Sequence, residues 1–143
     1  MHGHAEKCVD KYLELTGSTE SVLKPVSTPS LLSHLIHADE FKVKGKLADN
    51  CTRVVLKILF FAHISRPDVL GVCNQLSREV SRWTAACDRQ LHRLISYIHF
   101  TKRWVLKCHI GNSINEFKLA IHSDASFAGD PGDRSRPQVA FFA

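Results

Sequence analysis

The sequence has no hydrophobic run long enough to cross a bilayer. Its longest, residues 54–64, is interrupted by Lys57 and His63 and falls short of the roughly 20 residues that a spanning helix needs. The opening MHGHAEK contains no apolar core, so no secretory leader is expected. C-x-x-C is also missing. The five cysteines, Cys8, Cys51, Cys73, Cys87 and Cys108, are scattered and odd in number. This excludes a zinc-type spacing and a dense secreted disulfide framework, and it predicts free thiols in a reducing compartment. The expectation is an intracellular protein of the cytoplasm or nucleus, not secreted and without a membrane partner. Internal repeats and low-complexity segments are absent as well.

What is present suits a globular chain. Its 143 residues fit one domain or parts of two. The composition is 44% hydrophobic and 23% charged, outside the range of disordered chains. The net charge of +5 and the pI of about 9.1 favour anionic partners such as nucleic acid without specifying one.

Helical periodicity dominates the first hundred residues. Residues 5–16 read as a short amphipathic helix with Cys8, Val9, Tyr12, Leu13 and Leu15 on its apolar side and Gly17 as its stop. Residues 1–17 thus form an N-terminal helical segment. Residues 18–50 contain Pro25 and Pro29 among Ser and Thr, then a charged tail, and read as a linker or variable insertion. Residues 51–64 are apolar nearly all round, which predicts a helix buried on most sides. Ser65-Arg66-Pro67-Asp68 is a stop and restart: Pro67 fits a first turn and Asp68 suits the positive helix end. The next helix, 67–82, places Val69, Val72, Cys73, Leu76 and Val80 on one stripe. After Trp83-Thr84, residues 85–100 place Cys87, Leu91, Leu94, Ile95 and Ile98 on one face. Three helices with short connections predict a small bundle over 51–101.

A basic face accompanies the last two helices. Arg78 and Arg82 are spaced i, i+4, as are Arg89 and Arg93, and Lys102 and Arg103 follow. Such a face can track a phosphate backbone, each contact adding salt-dependent affinity, or it can simply be solvated. Trp83, Tyr97 and Trp104 can stack on bases or pack in the core or at its rim.

Past Phe100 the pattern alternates. Residues 104–110 and 116–122 read as strands joined by Gly111-Asn112-Ser113, a hairpin signal, and 139–142 as a third strand. The expected fold class is therefore α+β: a small helical bundle, then a β-hairpin and further strands over 102–143. The strand pattern with Phe117, Leu119 and Ile121 on one face runs into a single carboxylate, Asp124, followed by small residues and a Gly-Asp-Pro-Gly turn. A carboxylate at a strand end beside small residues is a common way to hold a divalent metal against a phosphate. His122, two residues before it, shares its strand face.

Two runs carry a family resemblance. SRPDVLGVCNQLSREVSRWTAACDRQLHRLISYI, followed by LAIHSDASFAGDPGDRS, resembles the Pol polyprotein of copia-type retrotransposons. There a RPD segment opens a helix, a helix ending in YI or YL follows, a short hairpin comes next, and SDA-aromatic-AGD closes the series. KCVDKYLELTG and KPVSTP look like the segment that follows the polymerase palm. The resemblance spans most of the chain, from Cys8 to Asp133. It implies the end of a reverse transcriptase, thumb and connection, running into the first strands of an incomplete RNase H-like sheet. Asp124 then matches the first acidic ligand of RNase H. That chemistry uses several carboxylates and two Mg²⁺ ions about 4 Å apart. Asp130 and Asp133 resemble variable loop acids and are not counted as ligands.

The sequence also departs from that family. Ser135-Arg136-Pro137-Gln138 stands where a Ser-Thr-Ser-Gly type run is usual. The paired aspartates of a palm, an integrase His/Cys pattern and a protease motif are all missing. The resemblance thus implies a slice of a polyprotein that grips primer–template or RNA–DNA hybrid beside further Pol domains. With one carboxylate, Mg²⁺ binding is expected to be weak or absent, and neither polymerase nor RNase H activity is expected of this chain. Two other readings stay open: a non-catalytic basic helical module that binds nucleic acid, and a degenerate product with no selected function.

Overall fold

A computed structural model describes residues 3–32, 35–107, 122–126 and 138–142. The chain divides into two compact units, Met1–Lys107 and Cys108–Ala143. The first is built from four helices: α1 (His4–Thr16), α2 (Cys51–Ser65), α3 (Pro67–Arg78) and α4 (Ala85–Phe100). In the second, β1 (His122–Ser126) pairs antiparallel with β2 (Gln138–Phe142), with Asp124 opposite Ala140. No helix among the described residues is long and apolar enough to cross a membrane.

The helices follow from the apolar stripes. α2 contributes Val54, Val55, Ile58 and Ala62 to the core, and α3 contributes Val69, Val72, Cys73 and Leu76. α4 adds Leu91, Leu94, Ile95 and Ile98, and α1 adds Ala5, Cys8, Val9 and Tyr12. Each set recurs at three- and four-residue spacing, so one face of each helix is removed from water. α1 stops at Gly17, whose φ of 63° is left-handed and whose N–H caps the Leu13 carbonyl.

The corner between α2 and α3 is held by a buried arginine. Arg66 forks onto Asp68 at 2.8 and 2.7 Å. It also donates to the Thr101 carbonyl at 3.0 Å and to Thr101 Oγ1 at 2.8 Å. Tyr97 donates its hydroxyl to the same carboxylate at 3.1 Å, and its ring lies under the guanidinium. Burial alone would raise the Asp68 pKa. The hydrogen bonds and charge of Arg66 outweigh it and hold the carboxyl below its ordinary value. The short RPD sequence therefore ties the start of α3 to the end of α4.

Several expectations are corrected. The fold class is helical and not α+β with an RNase H-like sheet. Residues 104–107, expected as the first half of a hairpin, form no strand. Alternation is a weak signal in so short a run when the apolar residues have no covered face to enter: Trp104, Val105 and Leu106 are all exposed. The other expected strand, 116–122, lies outside the described residues except for His122. The sheet that is described has two strands, β1 and β2, paired only with each other.

α3 is also shorter than expected and stops at Arg78, before a single 3-10 turn at Val80–Arg82. The tighter turn lets Trp83 bury itself and donate its indole N–H to Asp88 at 2.7 Å. Finally, α2 is not covered on most sides, because Leu56, Phe60 and Ile64 are each more than half exposed.

Candidate nucleic-acid interface

The polar side of α4 holds residues 18–50 in place. The described residues of this segment include 3-10 turns at Glu20–Val22 and Ala38–Phe41 and form a strap across the bundle. Leu23 and Leu47 enter the core. Buried Gln90 accepts from the Leu31 N–H at 2.8 Å and donates to the Pro29 carbonyl at 3.1 Å. Arg93 donates to the Thr28 carbonyl at 3.1 Å and to its hydroxyl at 3.0 Å. Arg89 pairs with Glu40 at 2.6 Å.

The strap's far end closes on the first turn of α4. Asp88 accepts from the Lys46 and Leu47 N–H groups and from Trp83. Gly45 donates to the Trp83 carbonyl at 3.1 Å, and Ala85 donates to the Val43 carbonyl at 2.9 Å. Glycine is required there: a Cβ on Gly45 would stand 2.5 Å from the Thr84 carbonyl oxygen and 2.6 Å from the Trp83 ring.

Between strap and α4 lies a cleft of about 880 Å³. Five cationic side chains line it: Lys24, Lys44 and Lys46 from the strap, Arg89 and Arg93 from α4. Its two acids are engaged, Glu40 through one oxygen with Arg89 and Asp88 with the strap's N–H groups. Lys44 pairs with exposed Asp49 at 3.1 Å. Among the described residues, Lys24 and Lys46 have no ion pair. Apolar side chains from Val22, Val26, Leu31, Val43 and Ala85 fill in between the charges.

Deeper in the cleft, Tyr12 OH and His92 Nδ1 are 2.9 Å apart. Burial, with Asp88 nearby, pushes the Tyr12 pKa up to about 12. Burial holds His92 below its ordinary value despite a hydrogen bond with the backbone of Val22 that favours the charged form. The cleft thus presents fixed cations around a neutral imidazole and a neutral phenol at working pH.

The structure brings some of the expected basic residues together and separates others. Arg89 and Arg93 share the cleft. Arg78 sits on the last turn of α3, and Arg82 lies in the 3-10 turn beyond it, forked onto Glu79 at 2.7 and 2.8 Å. The helix ends between them, so their helical spacing is not realised. Lys102 and Arg103 are exposed just after α4. Of the aromatics, Trp83 and Tyr97 are buried, while Trp104 is 60% exposed, edge-on to Tyr97 and over Arg66.

The three strap lysines were missed from sequence. Long-range hydrogen bonds and ion pairs, those of Gln90, Asp88, Arg89 and Arg93 among them, bring them beside α4. Asp124 lies on β1 in the second unit. Among the described residues, no three His, Cys, Asp or Glu side chains gather to hold a metal.

Comparison with protein-family models, with curated proteins and with solved structures finds no match to this chain.

Proposed function

We propose that the helical unit is a non-catalytic nucleic-acid-binding module. One observation carries the reading: five cationic side chains from two distant parts of the chain surround one cleft, and both of its acids are engaged within the fold. A phosphate chain entering there meets fixed positive charge and releases its counterions, the main source of sequence-independent affinity. Arg89 and Arg93 also fasten the strap, so they act in binding and in architecture together. Lys102 and Arg103, exposed after the end of α4, are not among the residues that line the cleft.

The resemblance to the thumb-and-connection part of copia-type Pol polyproteins favours the same role, that of gripping primer–template beside other polyprotein domains. An intracellular setting fits the four described cysteines, Cys8, Cys51, Cys73 and Cys87, which are all buried as free thiols. No catalytic role is assigned to Asp124.

The test is binding of labelled single-stranded DNA, single-stranded RNA and RNA–DNA hybrid across a salt series. Arg89 and Arg93 are poor targets for charge reversal because they hold Glu40 and Thr28. Lys24→Glu with Lys46→Glu is the better pair, and it is expected to abolish binding at moderate salt while the thermal transition stays in place. Unchanged affinity in that double variant would overturn the proposal. Hybrid cleavage by the wild type that vanishes in Asp124→Asn would overturn its non-catalytic part.

A further inference from the structure

The cleft holds more than charge. Most of its lining is apolar, and two flat rings, Tyr12 and His92, lie within it at a centroid distance of 6.0 Å. A cleft that only tracked a phosphate chain would need no such floor.

Two demands follow from these residues. The ligand must bring an anion for Lys24 and Lys46 and a flat apolar body for the floor and the rings. A fatty acid or lipid tail lacks the flat body, and so does free phosphate. A nucleotide meets both, and the volume suits a ligand of that size.

Resting on the nucleic-acid reading of the same cleft, we infer that it takes one unstacked nucleotide. The base lies on the apolar floor near Tyr12 and His92, and its phosphate lies on Lys24 and Lys46. This makes single strands the favoured substrate, because a duplex holds its bases in the stack, while stacking on side-chain rings is open to any unpaired base.

The experiment titrates the full chain with two probes: AMP and ribose 5-phosphate. Binding is followed by calorimetry and by displacement of a labelled single-stranded oligonucleotide. AMP is expected to bind about tenfold or more tightly than ribose 5-phosphate, the scale of one stacking contact. Ala85→Leu, which fills the floor from a helical position, and Val43→Glu, which puts an anion at an exposed strap position, should each erase that preference. Two variants from different elements guard against one that fails to fold, and circular dichroism checks both.

Equal binding of AMP and ribose 5-phosphate, with salt-dependent oligonucleotide binding intact, would overturn the inference and leave the nucleic-acid reading standing. AMP binding with the expected preference, but no oligonucleotide binding at low salt, would support the nucleotide cleft and overturn the nucleic-acid reading.

Discussion

At the scale of single residues, Arg66 and His92 set the chemistry. Arg66 is 3% exposed and makes four hydrogen bonds, to Asp68 and Thr101. Removing one partner of a buried pair leaves the other charge uncompensated. Arg66→Met is expected to destabilise the helical unit by about 3 kcal/mol, at the low end for such pairs because Asp68 is partly solvated. Arg66→Lys should recover little, since an ammonium cannot fork onto a carboxylate while also reaching Thr101. Chemical denaturation measures both, and a loss below about 1 kcal/mol in Arg66→Met would show that the corner is held by packing alone.

His92 gives the pH dependence. Its folded pKa lies below the ordinary value of 6.5 because the ring is buried. As pH falls, the unfolded chain therefore takes up a proton first, near 6.5, and stability contributed by the neutral ring is lost from there downward. The denaturation midpoint should fall between about pH 7 and pH 5.5, and His92→Gln should flatten that fall. A midpoint that rises over the same range would contradict the burial of His92. The pH window differs for Asp68, whose depressed pKa makes its contribution fade as pH falls from the ordinary carboxylate value downward.

At the scale of elements, the strap is the feature that separates this unit from a plain helical bundle. Gly45 is its tightest point. Gly45→Ala forces a Cβ against the Thr84 carbonyl and Trp83, and is expected to destabilise by about 1–3 kcal/mol. Hydrogen exchange should quicken at Gly45 and Ala85, whose N–H groups bond across this junction, while the interior of α2 keeps its protection. Uniform quickening everywhere would mean that strap and bundle open as one cooperative unit.

The helices were legible and the strap was not, for a physical reason. The expected ends of the 85–100 helix coincide with those of α4, and those at 51–64 differ from α2 by one residue at its C-terminus. Periodic burial is a local signal repeated every turn. The strap is held instead by single residues far apart in sequence, such as Gln90 with Leu31 and Asp88 with Lys46. No periodicity announces such pairs, so residues 18–50 read as a linker. The 104–107 run misled in the opposite way, because its apolar residues alternate in sequence but stay exposed in the structure.

At the scale of the whole molecule, the first unit has its own core, reaching from Ala5 on α1 to Ile98 on α4. A chain ending at Lys107 should therefore keep a cooperative thermal transition and the helical signal of the full chain. Its loss would show that the core depends on Cys108–Ala143. The site was legible in half: Arg89 and Arg93 stood out as a basic pair, but the lysines that complete the cleft come from the strap. Asp124, prominent in the sequence, belongs to the other unit, on β1.

On the proposed reading, the strap and α4 form one cationic site for nucleic acid. The most direct measurement is the salt slope of single-strand binding for the wild type and for the Lys24→Glu, Lys46→Glu double variant. Affinity should fall steeply with salt in the wild type. In the double variant it should be much weaker, with a slope shallower by roughly 0.7 for each phosphate contact removed. Equal slopes and equal affinities in the two proteins would contradict the claim and leave the cleft without a nucleic-acid role.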